Sequence, residues 1–558
     1  MSTRDPVRII PLGGLGEVGK NMTVVECGGD LILIDAGLTF PKAEMHGIDL
    51  VLPDFAYVVD RADRLRAVVL THGHEDHVGA LPYLLRETGP GPVVYGTRLT
   101  LGLVKSRLDE HGLGADTELV EVVPDGSRVR VGPFDAEFVR VTHSIPDAVA
   151  VVLHTEHGPV VHTGDFKLDM TPVDGRPVDI ERLRALGDEG VTLLMSDSTN
   201  AENPGTTPSE MTVGPSMRRI IGEAPGRVIV TSFASQIHRL QQVIDAAAAN
   251  RRRVCVIGRS MVRNLNISRN LGYAEMDDDI MLKPRDLDSV LPHEVVVLCT
   301  GSQGEPRSAL TRISLGDHPA LQIHPTDTVV MSSKAVPGNE VNVGETVNRL
   351  NRMGATVLTE NNAYVHVSGH GSSDELRTML ELVRPRHFVP VHGEYRMLRA
   401  HARIAEQAGV EPHAVRIADN GTVLELDGEG LFVTGQIETG MTLVDGYSVG
   451  DVRDEVLRDR RRLATDGVLI VVATIAAGSA EVVVDPEVIA RGFEMPDGDG
   501  QELLDASRDA VDEVLERCLA NRITEPNLLQ QELHDALAPL VHKMTGKRPM
   551  VLPVVVEV

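Results

Sequence analysis

One seven-residue stretch, Thr71-His72-Gly73-His74-Glu75-Asp76-His77, restricts this chain more than any other. Three imidazoles and a carboxylate crowd together between a β-branched run at 67–70 and a helical pattern over 78–87. A loop that leaves a strand and enters a helix can turn such side chains towards one point. His72 and His74 can then chelate one ion while Asp76 and His77 face a second. Imidazole with carboxylate suits zinc, and manganese suits the more oxygen-rich position. Two ions need more ligands than this loop supplies, and other expected strand ends offer them. His143 stands in Val141-Thr142-His143-Ser144, Asp165 in Val161-His162-Thr163-Gly164-Asp165, and His392 in Val389-Pro390-Val391-His392-Gly393-Glu394. Together they complete a ligand set in which one carboxylate can bridge. His162 falls inside its strand and is left out. Asp35 closes the strand 31–35, where it can orient a ligand imidazole through the other ring nitrogen or bind loop amides.

The rest of the chain sets bounds on what could carry such a centre. Its 558 residues suggest roughly three to five domains. Hydrophobic residues make up 42% and charged residues 24%, the balance of a soluble globular protein. The apolar runs at 468–477 and 550–558 fall well short of the ~20 residues of a membrane span, so no membrane association is expected. Residues 1–8 lack the apolar core of a secretory signal. Cys27, Cys255, Cys299 and Cys518 form no C-x-x-C pair. That argues against a disulfide framework and fits a reducing cytoplasm. The formal net charge of -27 repels bulk nucleic acid, but bound metals and a local basic channel can reverse the field where it matters.

The pattern predicts a mixed α/β chain. Strands over 7–11, 22–27 and 31–35 lead into strands near 93, 119–123, 138–141 and 150–154, an arrangement of two sheets covered by helices. From about 216 to 375, helices alternate with buried-type strands at 227–231, 254–258, 295–300 and 328–332, which reads as a second domain. Helix, strand and helix at 376–383, 387–391 and 397–407 can complete the first domain up to about 448. A charged run at 451–462 reads as a linker or exposed helix. From 466, strands at 468–473, 480–484 and 550–556 with helices at 501–519 and 527–540 form a small module.

Gly14-Leu15-Gly16-Glu17-Val18-Gly19 matches a dinucleotide fingerprint, but the fingerprint must open a helix and 21–27 reads as a strand. A phosphate loop needs Ser or Thr after its Lys, and Asn21 stands there. A tight turn with positive φ is the better reading. His366-Val367-Ser368-Gly369-His370-Gly371-Ser372 precedes a helix for which Ser372 and Glu375 make a capping box. Free N–H groups at that helix start suit phosphate.

The set His72, His74, Asp76, His77, His143, Asp165 and His392 resembles the metallo-β-lactamase fold. The inserted α/β domain is similar to its β-CASP branch. Ser196-Asp197-Ser198-Thr199-Asn200-Ala201, Thr231-Ser232-Phe233-Ala234-Ser235, Gly301-Ser302-Gln303-Gly304-Glu305-Pro306 and Arg548-Pro549-Met550-Val551-Leu552-Pro553-Val554 narrow the resemblance to the bacterial ribonuclease J family. It implies an αββα sandwich over 1–215 and 376–448, an inserted β-CASP domain over 216–375, a linker over 449–465 and a C-terminal oligomerisation domain over 466–558. His72, His74 and His143 would hold one zinc, Asp76, His77 and His392 another, with Asp165 bridging and Mn2+ able to substitute. Gly47, Asp49 and Asp445 would hold a structural Ca2+. Asp197 and His370 would be catalytic, although Asp197 can also cap its loop through Thr199. Ser232 or Ser235, with the loop His366, Val367, Ser368, Gly369, His370, Gly371 and Ser372, would receive the 5′-monophosphate of single-stranded RNA.

The implied activity is 5′→3′ exonucleolysis and endonucleolysis of RNA, in rRNA maturation and mRNA turnover. The enzyme would be a cytoplasmic homodimer or tetramer, with an RNA helicase or another ribonuclease as partners. Arg259, Arg263, Arg307, Arg312 and Lys334 are expected contacts to the RNA backbone. The competing readings are a β-CASP endonuclease on RNA or DNA without 5′-end dependence, a metallo-hydrolase of small substrates, and a noncatalytic RNA-binding scaffold. The insertion argues against the second by covering the cleft, and the ligand set argues against the third.

Overall fold

The computed structural model describes residues 5–42, 44–336, 338–446, 448–450, 454–477, 481–492 and 500–558. The chain forms two compact units. One comprises Met1–Thr39 and Val51–Thr442, the other Phe40–Leu50 and Leu443–Val558.

The larger unit is built on two facing sheets. The first has eight strands, in the order Leu431–Gln436, Thr422–Leu426, Val7–Gly13, Met22–Cys27, Asp30–Ile34, Leu65–Val69, Val93–Gly96 and Leu119–Glu121. The second has six, in the order His387–Val391, Leu193–Asp197, Gly158–His162, Val149–Thr155, Phe134–Arg140 and Arg128–Val131. Val7, Ile9, Val25, Ile32, Ile34 and Val69 of one sheet share a core with Phe138, Val151, Val160, Met195 and Val389 of the other. The alternate residues Val139, Val152, Val161 and Leu194 join a separate core with Leu183, Leu186, Leu376 and Met379 of the covering helices. Both faces of these strands are therefore apolar, which is why their sequences read as continuous hydrophobic runs. Two facing sheets, the second backed by helices, are layers of the expected αββα sandwich.

Chain direction explains where chemistry can gather. Gly158–His162 runs parallel to Leu193–Asp197, and that strand parallel to His387–Val391. Phe134–Arg140 is antiparallel to its neighbour Val149–Thr155, which is antiparallel to Gly158–His162. The carboxyl ends of four strands in this sheet thus share one edge, as do those of Asp30–Ile34 and Leu65–Val69 in the other, which pair in parallel. Open α/β sheets place their ligands at such edges.

The inserted domain has its own sheet of six parallel strands, ordered Met281–Leu282, Arg253–Ile257, Val295–Cys299, Val228–Thr231, Thr328–Met331 and Thr356–Leu358. Val228 and Val230 pack on one side with Leu240 and Val243 of the helix Ile237–Ala249, and Ile229 packs on the other with Val297 and Leu350. Cys255 and Cys299 behave as core hydrophobes, their thiols pushed by burial up to about 12. All four cysteines are free.

In the second unit, the sheet Val482–Arg491, Val468–Ile475 and Met550–Glu557 packs on the helices Gln501–Ala520 and Pro526–Thr545 through Leu469, Val471, Ala473 and Ile475.

Several expected elements need correction. The helix expected over 78–87 is two, Glu75–Val78 and Leu81–Thr88. A side chain at Gly79 would strike Leu38, and Pro82 suits the first turn of a new helix. Of the two readings of the charged run, the structure takes the helix, Asp454–Asp466, with 451–453 outside the described residues. The strand expected over 480–484 runs Val482–Arg491, and Ala480 itself lies outside the described residues. Among the described residues, no helix is long and apolar enough to cross a membrane.

Candidate metal centre

Each candidate ligand is delivered by the end of a strand. His72, His74, Asp76 and His77 follow Leu65–Val69, His143 follows Phe134–Arg140, Asp165 follows Gly158–His162, and His392 follows His387–Val391. Asp35 and His392 leave their strands with φ of 61° and 52°. A non-glycine residue in that region costs about 1–3 kcal/mol and persists only where its surroundings hold it.

Seven side chains meet in two groups that share Asp165. In the first, His74 Nδ1 lies 3.0 Å from His72 Nε2 and 3.1 Å from His143 Nε2. Asp165 Oδ2 is 3.7 Å from both His72 Nε2 and His143 Nε2. In the second, His77 Nε2 lies 3.2 Å from Asp165 Oδ2 and 3.7 Å from Asp76 Oδ2, while His392 Nε2 is 3.4 Å from Asp76 Oδ2. A tetrahedral site with bonds of ~2.0–2.2 Å has ligand–ligand edges of ~3.3–3.6 Å. The observed separations bracket that range. Asp165 Oδ1 and His392 Nε2 are buried and have no hydrogen-bond partner among the described residues. Buried polar atoms of this kind call for an ion or water. The donor set and spacing fit a divalent metal site.

The far side of each imidazole is also fixed. His77 Nδ1–H donates to Asp35 Oδ2 at 2.7 Å, and His143 Nδ1–H to the Gly369 carbonyl at 2.7 Å. His72 Nδ1 lies 3.1 Å from Thr71 Oγ1, which donates to Asp35 Oδ2 at 2.8 Å. His392 Nδ1 lies 2.9 Å from Thr199 Oγ1. Such partners set the tautomer and aim the metal-facing nitrogen. His162, left out of the ligand set, lies outside these groups and accepts from the Gly164 amide.

Electrostatics divides the cluster. Burial pushes His72 and His143 well below the ordinary imidazole value and His74 down to about 4, so these three offer neutral lone pairs. Burial works the same way on His77 and His392, but carboxylates outweigh it. Asp165, Asp76 and Asp35 hold His77 well up, and Asp165, Asp197 and Asp76 raise His392 to about 10. The second group is a place where carboxylates demand positive charge.

Asp197 and His370 sit against this cluster. His370 Nδ1–H donates to Asp197 Oδ2 at 2.7 Å, and His370 Nε2 lies 3.9 Å from Asp165 Oδ2. Asp197 Oδ1 accepts from the Thr199 amide and hydroxyl. Asp197 therefore caps its loop and holds His370 at once. Asp197, His370, Asp165 and His392 also bring one ligand atom each within 4.8 Å of one another.

The loop 366–372 closes one side. Ser372 and Glu375 form the expected capping box on the helix Ser373–Val383. Glu375 does more than that reading foresaw, because its carboxylate also accepts from the amides of Leu168 and Thr207. Asn200 ties Ser368 Oγ to the His370 carbonyl. Burial, with nearby Arg239, Lys167 and Lys334, pushes His366 down to about 3. Ser232 Oγ is turned to Gln236 Oε1. Among the described residues no hydrogen bond joins Ser232 or Ser235 to this loop. Of the expected RNA contacts, Arg263 pairs with Glu110 and Arg312 donates to the Asp317 carbonyl.

Sequence reasoning missed Asn21, whose Nδ2 donates to the Asp76 carbonyl and lies 3.1 Å from His77 Nε2. Its signal was the glycine turn before it. Gly14, Gly16 and Gly19 have positive φ, the turn bridges to Gly393 beside His392, and a strand follows.

Gly47, Asp49 and Asp445, the residues expected to hold calcium, lie beside Arg460. The Arg460 guanidinium donates to Asp445 Oδ2 at 2.5 Å and to the His46 carbonyl at 3.3 Å. Its Nη1 lies where a side chain on Gly47 would project, and Asp49 Oδ2 accepts from the Gly446 amide. Arg460 thus engages one oxygen of the expected set, Asp445 Oδ2.

Four family models match: "Metallo-beta-lactamase superfamily" over 15–203, "Ribonuclease J, beta-CASP domain" over 225–350, "Zn-dependent metallo-hydrolase RNA specificity domain" over 354–415, and "Ribonuclease J C-terminal domain" over 455–558. The chain is 41% identical to Ribonuclease J2 of Bacillus subtilis over 99% of each chain. It is 41% identical to Ribonuclease J of Mycobacterium tuberculosis, over 100% of this chain and 98% of that one. It is 43% identical to Ribonuclease J of Thermus thermophilus, over 99% and 96%. A crystal structure of a protein of unknown function from Enterococcus faecalis shares the fold, with a TM-score of 0.51 and 15% identity over 75% of this chain and 100% of that one.

Proposed function

The chain belongs to the ribonuclease J family of metal-dependent nucleases, and from that premise we propose a two-zinc ribonuclease. Its substrate would be single-stranded RNA bearing a 5′-monophosphate, degraded 5′→3′ and also cut internally, in rRNA maturation and mRNA turnover. The observation that carries this reading is the pair of ligand groups sharing Asp165, with the His370–Asp197 pair beside them.

Two divalent ions, when bound, would activate water and neutralise charge on the scissile phosphate. His72, His74 and His143 would hold one, Asp76, His77 and His392 the other, and Asp165 both. The chain's own residues then do three things. Asp35, Thr71, Thr199 and the Gly369 carbonyl hold the ligand rings in place. Asp197 fixes His370 with Nε2 turned to the cluster. Burial works to lower His370, but Asp197 and Asp165 outweigh it and raise it above the ordinary imidazole value. With Nε2 placed at the cluster, His370 is the general acid of this account, donating to the departing oxygen.

The loop 366–372, at the start of the helix Ser373–Val383, would receive the terminal phosphate. The match of 354–415 to an RNA specificity model supports RNA over DNA. A dimer has support in the C-terminal sheet. Leu552, Val554 and Val556 are 42%, 41% and 40% exposed on the face away from the helices, with Ile470 and Val472 paired beside the first two.

The test is a time course on 5′-labelled RNA carrying either a 5′-monophosphate or a 5′-hydroxyl. Labelled mononucleotide from the earliest points, faster with the phosphate, supports the reading. Longer labelled fragments at equal rates on both would leave an endonuclease without 5′-end dependence.

A further inference from the structure

We propose that His401 is a positioning residue for the Asp197 carboxylate, acting through Ser198. The inference rests on the catalytic role given above to the Asp197–His370 pair. His401 lies on the helix Tyr395–Gln407 and is fully buried. Its Nδ1 lies 3.0 Å from Ser198 Oγ, which lies 3.3 Å from the Ser196 carbonyl. Its ring meets Phe388 edge-on, with centroids 4.8 Å apart. Its Nε2 is buried and has no hydrogen-bond partner among the described residues.

Burial keeps the ring neutral, pushed down to about 3, so it carries one proton. Two placements of that proton are open. On Nε2 it would be a buried donor with no acceptor, and Ser198 would have to turn its own proton to Nδ1 and away from the Ser196 carbonyl. On Nδ1 it donates to Ser198 Oγ, and the hydroxyl donates to the Ser196 carbonyl. The second placement satisfies both donors and leaves only the buried Nε2 lone pair unpaired. A buried N–H left without an acceptor is costly, whereas a buried lone pair is less so, and the Nδ1–H tautomer wins.

The relay His401 Nδ1–H to Ser198 Oγ–H to Ser196 C=O therefore grips the chain on both sides of Asp197. The Ser198 amide donates to the His392 carbonyl, and the Asp197 amide to Thr163 Oγ1. With its backbone held, Asp197 can turn one oxygen to Thr199 and the other to His370.

The test compares His401→Phe, His401→Asn, His401→Gln and Ser198→Ala in the full-length metal-loaded protein. Unfolding midpoints are measured beside kcat and KM on RNA. Phenylalanine fills the pocket beside Phe388 without the donor. The expected result is an unchanged or raised midpoint, unchanged KM, and kcat down roughly tenfold, the scale of a slightly misplaced catalytic group. Asparagine places an N–H where Nδ1–H was and restores most of kcat, while glutamine does not. His401→Phe and Ser198→Ala together are no worse than either alone. Wild-type kcat in His401→Phe, or equal losses in the Asn and Gln variants that track their midpoints, would overturn the inference. Asp197→Asn is the control. If it cleaves like the wild type, the catalytic reading of Asp197 fails first. If it is dead while His401→Phe is normal, only the positioning role fails.

Discussion

Gly369 shows how closely the centre is fitted at the scale of single residues. A Cβ at this position would lie 2.7 Å from His143 Cε1 and 2.8 Å from Nδ1. The Gly369 carbonyl also accepts the His143 Nδ1–H bond. Gly369→Ala should therefore push the ring out of line and weaken metal retention about 10–100-fold, the cost of losing such a partner. Metal content after dialysis measures this, and full retention would contradict it. The ligands themselves were legible because chelation needs particular residue types at strand ends, and four of the seven stand within one six-residue stretch, His72–His77. Their supports were not. Asn21, Thr71 and Glu375 are ordinary residues in sequence, and only the fold brings Asn21 to Asp76 and Glu375 to Leu168 and Thr207. Asp35 was legible in part, since its place at a strand end admitted either an imidazole or loop amides. It takes His77 and Thr71 both.

Between elements, buried charge pairs fix the packing and give it a pH dependence. Glu137 on Phe134–Arg140 accepts from Arg182 Nη2 at 2.9 Å, on the helix Ile180–Glu189, and lies 3.1 Å from His154 Nε2. Burial works to raise this carboxyl, but Arg182 and His154 outweigh it and bring it down to about 2. Its folded value lies below its unfolded one. The stabilisation is therefore full above about pH 4.5 and is lost as pH falls through about 2. Glu137→Gln should lower the urea midpoint at pH 7 and flatten its decline between pH 5 and 3. An unchanged acid limb would contradict this. At Arg460, on Asp454–Asp466, millimolar calcium should leave the unfolding midpoint where magnesium at equal ionic strength leaves it. A calcium-specific rise would show that the arginine yields the site. Element types were legible wherever both faces of a strand are covered, because the apolar runs are then continuous. Boundaries were less so. A pattern of apolar residues does not reveal that Leu38 fills the space a side chain at Gly79 would need.

For the whole molecule, assembly and metal loading are the properties that matter. Leu552→Asp with Val554→Asp places two charges on the outer face of the C-terminal sheet. Sedimentation should then show a monomer for the variant and a dimer for the wild type, with helical content unchanged. A dimer in both would move the interface elsewhere. The inserted sheet and the C-terminal module were legible as α/β segments. The inclusion of Phe40–Leu50 in the second unit was not, because nothing local distinguishes that segment from a loop of the first. The formal charge of -27 makes the metal centre all the more necessary, since an acidic protein must offer a polyanion a local positive field. The direct test strips the full-length protein with a chelator and adds zinc back in measured equivalents, following bound metal and cleavage of 5′-monophosphorylated RNA together. The account predicts no cleavage by the stripped protein and recovery that completes as the second equivalent per chain is bound. Undiminished cleavage by the stripped protein, or full recovery at one equivalent, would contradict it.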